Sequence, residues 1–194
     1  MTLAIFDLDN TLLAGDSDHA WGEFLVEESI VDAEEYRQAN DRFYEEYLNG
    51  ELDIMRYLSF ALQPLARYDT EQLLAWREQF MAKKIQPMML EKAKALLDSH
   101  RADGHTLMII TATNRFVTEP VAKLLPSFQD GKVARLNDWL ESTGESLEGA
   151  WFYSDSHNDA PLLRKVENPV AVDPDPTLEN IAKENGWKIM SLRG

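Results

Sequence analysis

Met1-Thr2-Leu3-Ala4-Ile5-Phe6-Asp7-Leu8-Asp9-Asn10-Thr11-Leu12-Leu13 opens the chain and decides its reading. Leu3 to Phe6 is a short apolar run, and it stops at two carboxylates, Asp7 and Asp9, spaced i, i+2. An apolar run ending this way reads as a buried parallel strand that delivers acids to its carboxyl-terminal edge. In open α/β sheets ligands bind at that edge. Two acids in one turn repel each other and lose water on burial, so a cation is expected between them. A divalent metal is the natural candidate.

Composition bounds the rest. The chain has 194 residues, 44% of them hydrophobic, which suits one domain plus a sizeable insertion. Nineteen basic side chains face 34 acidic ones, a net charge of −15. Such a surface repels nucleic acid and anionic membranes, so neither is an expected partner. A phosphorylated small molecule meets the same repulsion, so a phosphate site needs local cations. The absence of cysteine excludes disulfides and thiol chemistry. The first apolar run is too short for a secretory signal and leads straight into acids, and no run is long enough to span a membrane. A cytoplasmic protein, monomeric or homodimeric, is the expectation.

Outward from the first strand, the texture turns helical from about Asp18 to Lys84. Trp21, Phe24 and Leu25 share a helical spacing, as do Tyr57, Leu58 and Ala61. Asp69-Thr70-Glu71 reads as a helix start, and breaks fall at Gly50 and Pro64. The organisation expected is an α/β core over 1–13 and 88–194, with a helical insertion over 14–87. After Pro87 the α/β rhythm resumes. Strands are expected at 106–110, 150–153, 170–172 and 188–191. Helices are expected at 91–97, 115–125, 132–140, 158–165 and 177–185, the last closing at Gly186.

Three strands therefore end in polar groups: Asp7 with Asp9, Thr111, and Asp155 with Asp159. Parallel neighbours would bring these ends to one edge. Phosphoryl transfer needs an in-line nucleophile, cations on the equatorial oxygens and a proton donor for the leaving oxygen. Asp7 can be the nucleophile, forming an aspartyl-phosphate. Asp9 can serve as general acid and then general base. Asp7 and Asp155, with a backbone carbonyl, suit Mg²⁺, a hard ion that takes oxygen ligands. Thr111 can donate to a phosphate oxygen, and Lys132 can supply a fixed charge there. Ser154-Asp155-Ser156-His157-Asn158-Asp159 reads as a turn opening a helix, whose amides, with Asn158, favour an anion, while Asp159 can orient metal-bound water. Singly, each residue has an ordinary reading: a solvated turn for Asp-x-Asp, an N-cap for Thr111, a solvated charge for Lys132, a turn cap for His157. Their combination in this order is what points to chemistry.

That combination resembles the haloacid dehalogenase superfamily of phosphatases, within it the branch containing phosphoserine phosphatase. Asp7-Leu8-Asp9-Asn10-Thr11-Leu12-Leu13 matches the nucleophile motif, and Ile109-Ile110-Thr111-Ala112-Thr113-Asn114 the second motif. Lys132 in Gly131-Lys132-Val133 resembles the third-motif lysine, and the run from Ser154 to Asp159 the acidic fourth motif. The resemblance implies a Rossmann-like parallel sheet core with an inserted all-helical, C1-type cap. It implies Asp7 as nucleophile, Asp9 as acid/base, Thr111 as phosphate ligand, and Mg²⁺ on Asp7, the Asp9 carbonyl and Asp155. Asp16 resembles the family's acid that meets a substrate amino group, against an N-cap reading for the helix through Trp21.

Two departures stand out. Lys132 follows Thr111 by 21 residues, short for this branch, and a strand belongs between the two helices there. Leu125-Pro126-Ser127-Phe128 thus reads as a junction from which a strand-bearing segment is absent. In phosphoserine phosphatases a cap arginine clamps the substrate carboxylate a few turns past a Gly-x-Leu element. Here Gly50-Glu51-Leu52 is present but Ser59 takes the matching position, with Arg56 and Arg67 as possible substitutes. Acids without that clamp suit a cationic head group. The expected activity is hydrolysis of a small amino-bearing phosphomonoester, histidinol phosphate ahead of phosphoserine. The rival readings are a phosphoacceptor signalling module and a non-catalytic protein keeping the fold.

Overall fold

In the computed structural model residues 2–124 and 133–194 are described, the side chains of 133–135, 137 and 138 excepted. Two compact units emerge, one of residues 1–15 with 88–194 and one of residues 16–87. The elements, in chain order, begin with β1 (Leu3–Phe6). The helical unit follows with α1 (Ser17–Glu27), α2 (Ala33–Leu48), α3 (Ile54–Ala61), α4 (Gln63–Arg67) and α5 (Thr70–Phe80). A π-turn (Met81–Ile85) and the short α6 (Gln86–Met88) lead out of it. The chain then runs through α7 (Glu91–Ala102), β2 (Thr106–Ile109), α8 (Arg115–Leu124), α9 (Val133–Thr143) and β3 (Trp151–Ser154). It continues with α10 (Ala160–Leu163), β4 (Asn168–Val172), α11 (Pro176–Asn185) and β5 (Lys188–Met190).

The five strands form one sheet in the order β2-β1-β3-β4-β5. Every pairing is parallel, with Ala4 beside both Leu107 and Trp151, and Phe6 beside Ile109 and Tyr153. β1 is buried along its whole length, as a central parallel strand must be when helices cover both faces. Leu3 and Ile5 join Met108, Ile110, Phe152 and Ala171 on one face, under Leu163, Leu178 and Ala182. On the other face Phe6 stacks on Tyr153 at 4.8 Å, with His100 edge-on to Phe6 at 5.7 Å. α11 shows local sequence and structure in agreement. Asp175 caps it by accepting from Thr177 N–H and Leu178 N–H, Pro176 sits in its first turn, and Gly186 closes it at φ 68°, a left-handed conformation that glycine takes without steric cost.

The helical unit is built from aspartate-capped helices. Asp16, Asp32, Asp53 and Asp69 each accept backbone N–H groups at the start of α1, α2, α3 and α5. Trp21, Phe24 and Phe80 form one aromatic cluster, with centroids 5.1–5.7 Å apart. Tyr36, Phe43, Tyr57 and Phe60 form a second. α1 and α2 cross closely at Gly22, where an added Cβ would meet the Asn40 side chain at 2.5 Å.

One expected helix is shorter than its pattern. Residues 157–159 form a 3₁₀ turn, and the α-helix covers Ala160–Leu163 rather than 158–165. Pro161 is the cause: it has no N–H to donate and belongs in a first turn, so the helix begins just before it. The junction at Leu125 to Phe128 lies outside the described residues. Among the described residues, no helix is long and apolar enough to cross a membrane.

Candidate active site

The carboxyl ends of β1, β2 and β3 lie side by side in the sheet, so the residues that follow them meet at one edge. Asp7 continues the ladder, its N–H donating to Tyr153 O at 2.8 Å, and its side chain is buried. The chain then turns tightly. Leu12 N–H and Leu13 N–H both donate to Leu8 O, and Asn10 N–H donates to Gly15 O at 3.0 Å. Asn10 takes φ 57°, a left-handed conformation that asparagine tolerates better than most residues.

That turn buries Thr11, whose hydroxyl joins two of the expected acids. It accepts from Asp155 N–H at 3.1 Å and lies 3.2 Å from Asp155 Oδ1 and 3.4 Å from Asp7 Oδ2. One hydroxyl proton thus serves two carboxylates. Burial pushes the Asp155 carboxyl up from 3.8 to about 6, with nearby Asp159 adding to the rise. Its own backbone N–H and hydrogen bonds with Thr11 and Asp7 act the other way.

Asp9 meets a different set of neighbours. Its Oδ2 accepts from Thr113 Oγ1 at 2.8 Å and from Thr111 Oγ1 at 3.3 Å. Thr111 Oγ1 in turn accepts from Thr113 N–H at 3.0 Å. The hydroxyl expected to meet phosphate is therefore directed at Asp9. Thr11 and Thr113 were not among the expected site residues. A hydroxyl inside Asp-x-Asp-x-Thr and a second one in Thr111-Ala112-Thr113 are the signals that could have found them.

The turn after β3 is held by serines and by one aspartate. Asp159 is buried, and its Oδ2 accepts from Ser154 Oγ at 2.8 Å. Ser154 Oγ accepts from Ser156 N–H, and Ser156 Oγ accepts from Asn158 N–H. Asn158 itself is exposed. His157 lies against Asp175, its N–H donating to Oδ2 at 2.7 Å with its ring Nδ1 2.9 Å from the same oxygen. Burial raises the Asp175 carboxyl, but the N–H groups of Leu178 and His157 and the His157 ring outweigh it and hold the group below its ordinary value. Asp175 N–H donates to Asp155 O at 2.8 Å, tying this cap to the acidic turn.

Two further residues were expected at the site, Asp16 and Lys132. Asp16 belongs to the helical unit, where its Oδ1 accepts from Asp18 N–H at 2.9 Å and His19 N–H at 2.8 Å as the cap of α1. Lys132 lies outside the described residues.

The donor set fits the implied Mg²⁺. Asp7 and Asp155 offer carboxylate oxygens on either side of one hydroxyl, and a carboxyl that burial holds up near 6 is one that a cation would stabilise in its charged form. Among the described residues no three acidic or histidine side chains are placed to hold an ion by themselves. The implied set asks for two carboxylates and a carbonyl, and its Mg²⁺ would keep several waters. Asp159 Oδ2 meets Ser154, and Asp9 Oδ2 meets the two threonines.

The haloacid dehalogenase-like hydrolase family model matches residues 4–130, and the chain belongs to that family. It is 42% identical to the histidinol-phosphatase of Neisseria meningitidis serogroup C (strain 8013), covering 98% of this chain and 99% of that protein. That alignment runs over 219 positions, more than the 194 residues here, so it opens gaps in this chain. A crystal structure of a protein of unknown function from Bordetella pertussis Tohama I superposes with a TM-score of 0.90 at 37% identity, covering 99% of this chain and all of that one. A phospho-aspartyl intermediate analogue of phosphoserine phosphatase superposes at 0.66, with 15% identity over 99% of this chain and 93% of that one, a likeness of fold.

Proposed function

We propose that this protein is a Mg²⁺-dependent phosphomonoester hydrolase that works through an aspartyl-phosphate on Asp7, with histidinol phosphate as its favoured substrate. The observation that carries the reading is the division of the two neighbouring acids: Asp7 shares the Thr11 hydroxyl with Asp155, while Asp9 is held by Thr113 and Thr111.

In the first half-reaction an Asp7 oxygen bonds to phosphorus as the bond to the leaving oxygen breaks. Asp9, protonated, gives its proton to that leaving oxygen. In the second, a water bonds to phosphorus, Asp9 takes the water's proton, and the Asp7 ester bond breaks to release phosphate. The hydroxyls of Thr111 and Thr113 keep Asp9 oriented through both steps. Bound to Asp7, Asp155 and the Asp9 carbonyl, Mg²⁺ would neutralise charge between the nucleophile and the phosphate. Asn158, exposed at the acidic turn, and Lys132 are proposed phosphate ligands, and Asp159, held by Ser154, is proposed to orient metal-bound water.

The choice of substrate rests on the helical unit and on the relatives. Ser59, where the phosphoserine branch carries a clamping arginine, turns its hydroxyl back onto Met55 O at 2.8 Å. Arg56 packs over the Phe43 ring and Arg67 over Tyr68. No arginine clamp for a carboxylate is thus assembled among these residues, and acids such as Asp16 suit an amino group. A relative 42% identical is named for histidinol phosphate. The test is phosphate release from histidinol phosphate, phosphoserine and sugar phosphates with Mg²⁺. Preference for histidinol phosphate, abolished by Asp7→Asn and by excess chelator, supports the reading. A preference for sugar phosphates overturns the substrate, and turnover surviving Asp7→Asn overturns the mechanism.

A further inference from the structure

Beyond β5 the chain runs back to the loop that carries Asp9. Asp173 N–H donates to Met190 O at 2.9 Å, and Leu192 N–H donates to Asp173 Oδ2 at 3.0 Å. Leu192 is buried, and Lys92 Nζ donates to Arg193 O at 3.0 Å. Ser191 Oγ closes a local turn with the Arg193 backbone. So fixed, the Arg193 side chain reaches Asn10. Its Nη2 donates to Asn10 O at 3.1 Å and lies 3.4 Å from Asn10 Oδ1.

We infer that Arg193 is a positioning residue for the Asp7–Thr11 loop: it holds Asn10 in its left-handed conformation and thereby fixes the peptide that aims Asp9. Asn10 is the one residue of that loop with positive φ, at 57°. A non-glycine residue pays for this backbone, and it persists where neighbours over-determine it. Two anchors do so here. Asn10 N–H is tied to Gly15 O, and its carbonyl and side-chain oxygens take the guanidinium. Among the described residues Arg193 is the donor to that carbonyl. A hydrogen bond from a charged donor is stronger than a neutral one, and the planar guanidinium can meet both Asn10 oxygens from one nitrogen. The consequence for turnover rests on the proposed function; the clamp on the loop does not.

Two readouts separate these. The first needs no substrate: hydrogen–deuterium exchange of Asp7–Gly15 in the full chain and in Arg193→Ala. The inference expects the amides of Asn10, Leu12 and Leu13 to exchange about tenfold faster in the variant, with the amides of β1 and β3 unchanged. The second is turnover of histidinol phosphate with Mg²⁺. Arg193→Ala should lower kcat by about tenfold to a hundredfold with KM held within about threefold, since small misplacements of a reacting group have costs of that order. Added guanidinium ion should restore part of that kcat, and Arg193→Lys should fall between the two. Unchanged exchange in the loop overturns the inference whether or not the parent protein turns over. Faster exchange with no guanidinium-rescued loss of kcat in an active parent also overturns it, leaving Arg193 as an anchor of residues 191–193. A parent that hydrolyses no phosphate ester defeats the proposed function, and the exchange result still decides the clamp.

Discussion

Asp7 and Asp9 are two residues apart on one turn, yet the fold gives them opposite company. Asp7 is buried at the end of β1 and meets a second carboxylate, Asp155, across the Thr11 hydroxyl. Asp9 is half-buried and meets the hydroxyls of Thr111 and Thr113, on the β2 side. A carboxylate facing another carboxylate asks for a cation; a carboxyl cradled by hydroxyls is oriented and left able to exchange a proton. The topology makes the division. β1 is central, with β3 on one flank and β2 on the other, and alternate acids turn to alternate flanks.

The largest effects should separate the two acids by step. Asp7→Asn removes the proposed nucleophile, and steady-state phosphate release should fall to background, a loss of about 10⁴-fold or more. Asp9→Asn leaves the proposed nucleophile and removes the proposed proton donor, so release should fall by about 10²–10⁴-fold. The loss should shrink for an aryl phosphate whose leaving oxygen needs no proton. Equal losses for aryl and alkyl esters would break the distinction.

One level out, the threonines sharpen it. Thr113→Val removes the 2.8 Å hydrogen bond to Asp9 and should lower kcat about tenfold with the Mg²⁺ requirement unchanged. Thr11→Val removes the hydroxyl between Asp7 and Asp155 and should raise the Mg²⁺ concentration needed for half-maximal rate. A Mg²⁺ titration of both variants reads the difference, and the same shift in both would merge the two environments into one.

Protonation gives a third handle. Asp155 is held up near 6 in the fold, against 3.8 for an ordinary aspartate. A raised carboxyl favours the folded state below its unfolded value, and that contribution is lost as pH rises through the folded one. Without metal, this site therefore weakens the fold between about pH 4 and 6. Mg²⁺ needs the ionised form, so the rise in Tm on adding it should grow from pH 5 to pH 7.5. A gain independent of pH would remove Asp155 from the cation site.

Much of this was legible from the chain alone. The core strand, the insertion behind it and the five-strand alternation follow from where apolar runs stop and turn residues begin. Parallel strands tie residues distant in sequence into one edge, so listing the polar strand ends named Asp7, Asp9, Thr111, Asp155 and Asp159 together. What stayed hidden has a common cause. Thr11, Thr113 and Arg193 act through contacts 104 to 183 residues apart in sequence, or inside a turn whose handedness no pattern shows. The N-cap reading of Asp16 was legible and the carboxylate does cap α1, while Ser59 was legible only as a residue type, its hydroxyl being engaged by its own helix. The helix expected over 158–165 starts only at Ala160, because Pro161 belongs in a first turn and the apolar spacing carries no sign of that.

The smallest effect lies beneath the site and tests where it ends. His100 on α7 is buried, with Nε2 2.7 Å from Tyr153 Oη and Nδ1 2.7 Å from His105 Nδ1. Burial lowers its pKa from 6.5, with His105 and Lys188 adding and Asp103 opposing. Tyr153 carries the Phe6 stack two residues before Asp155, so His100 supports the strands bearing both acids. A lowered histidine contributes stability above its unfolded value, because the unfolded chain takes up a proton that the folded one refuses; the contribution drains away as pH falls from about 6.5. His100→Gln should therefore be less stable than the parent at pH 7.5 by about 1–3 kcal/mol for the broken hydrogen bonds, and melt lower. It should then lose less further Tm between pH 7 and pH 5.5. Its kcat at pH 7.5, well below its melting temperature, should stay within about twofold of the parent. A tenfold fall in kcat there would extend the site's positioning network down through Tyr153 and move its boundary from the sheet edge to α7.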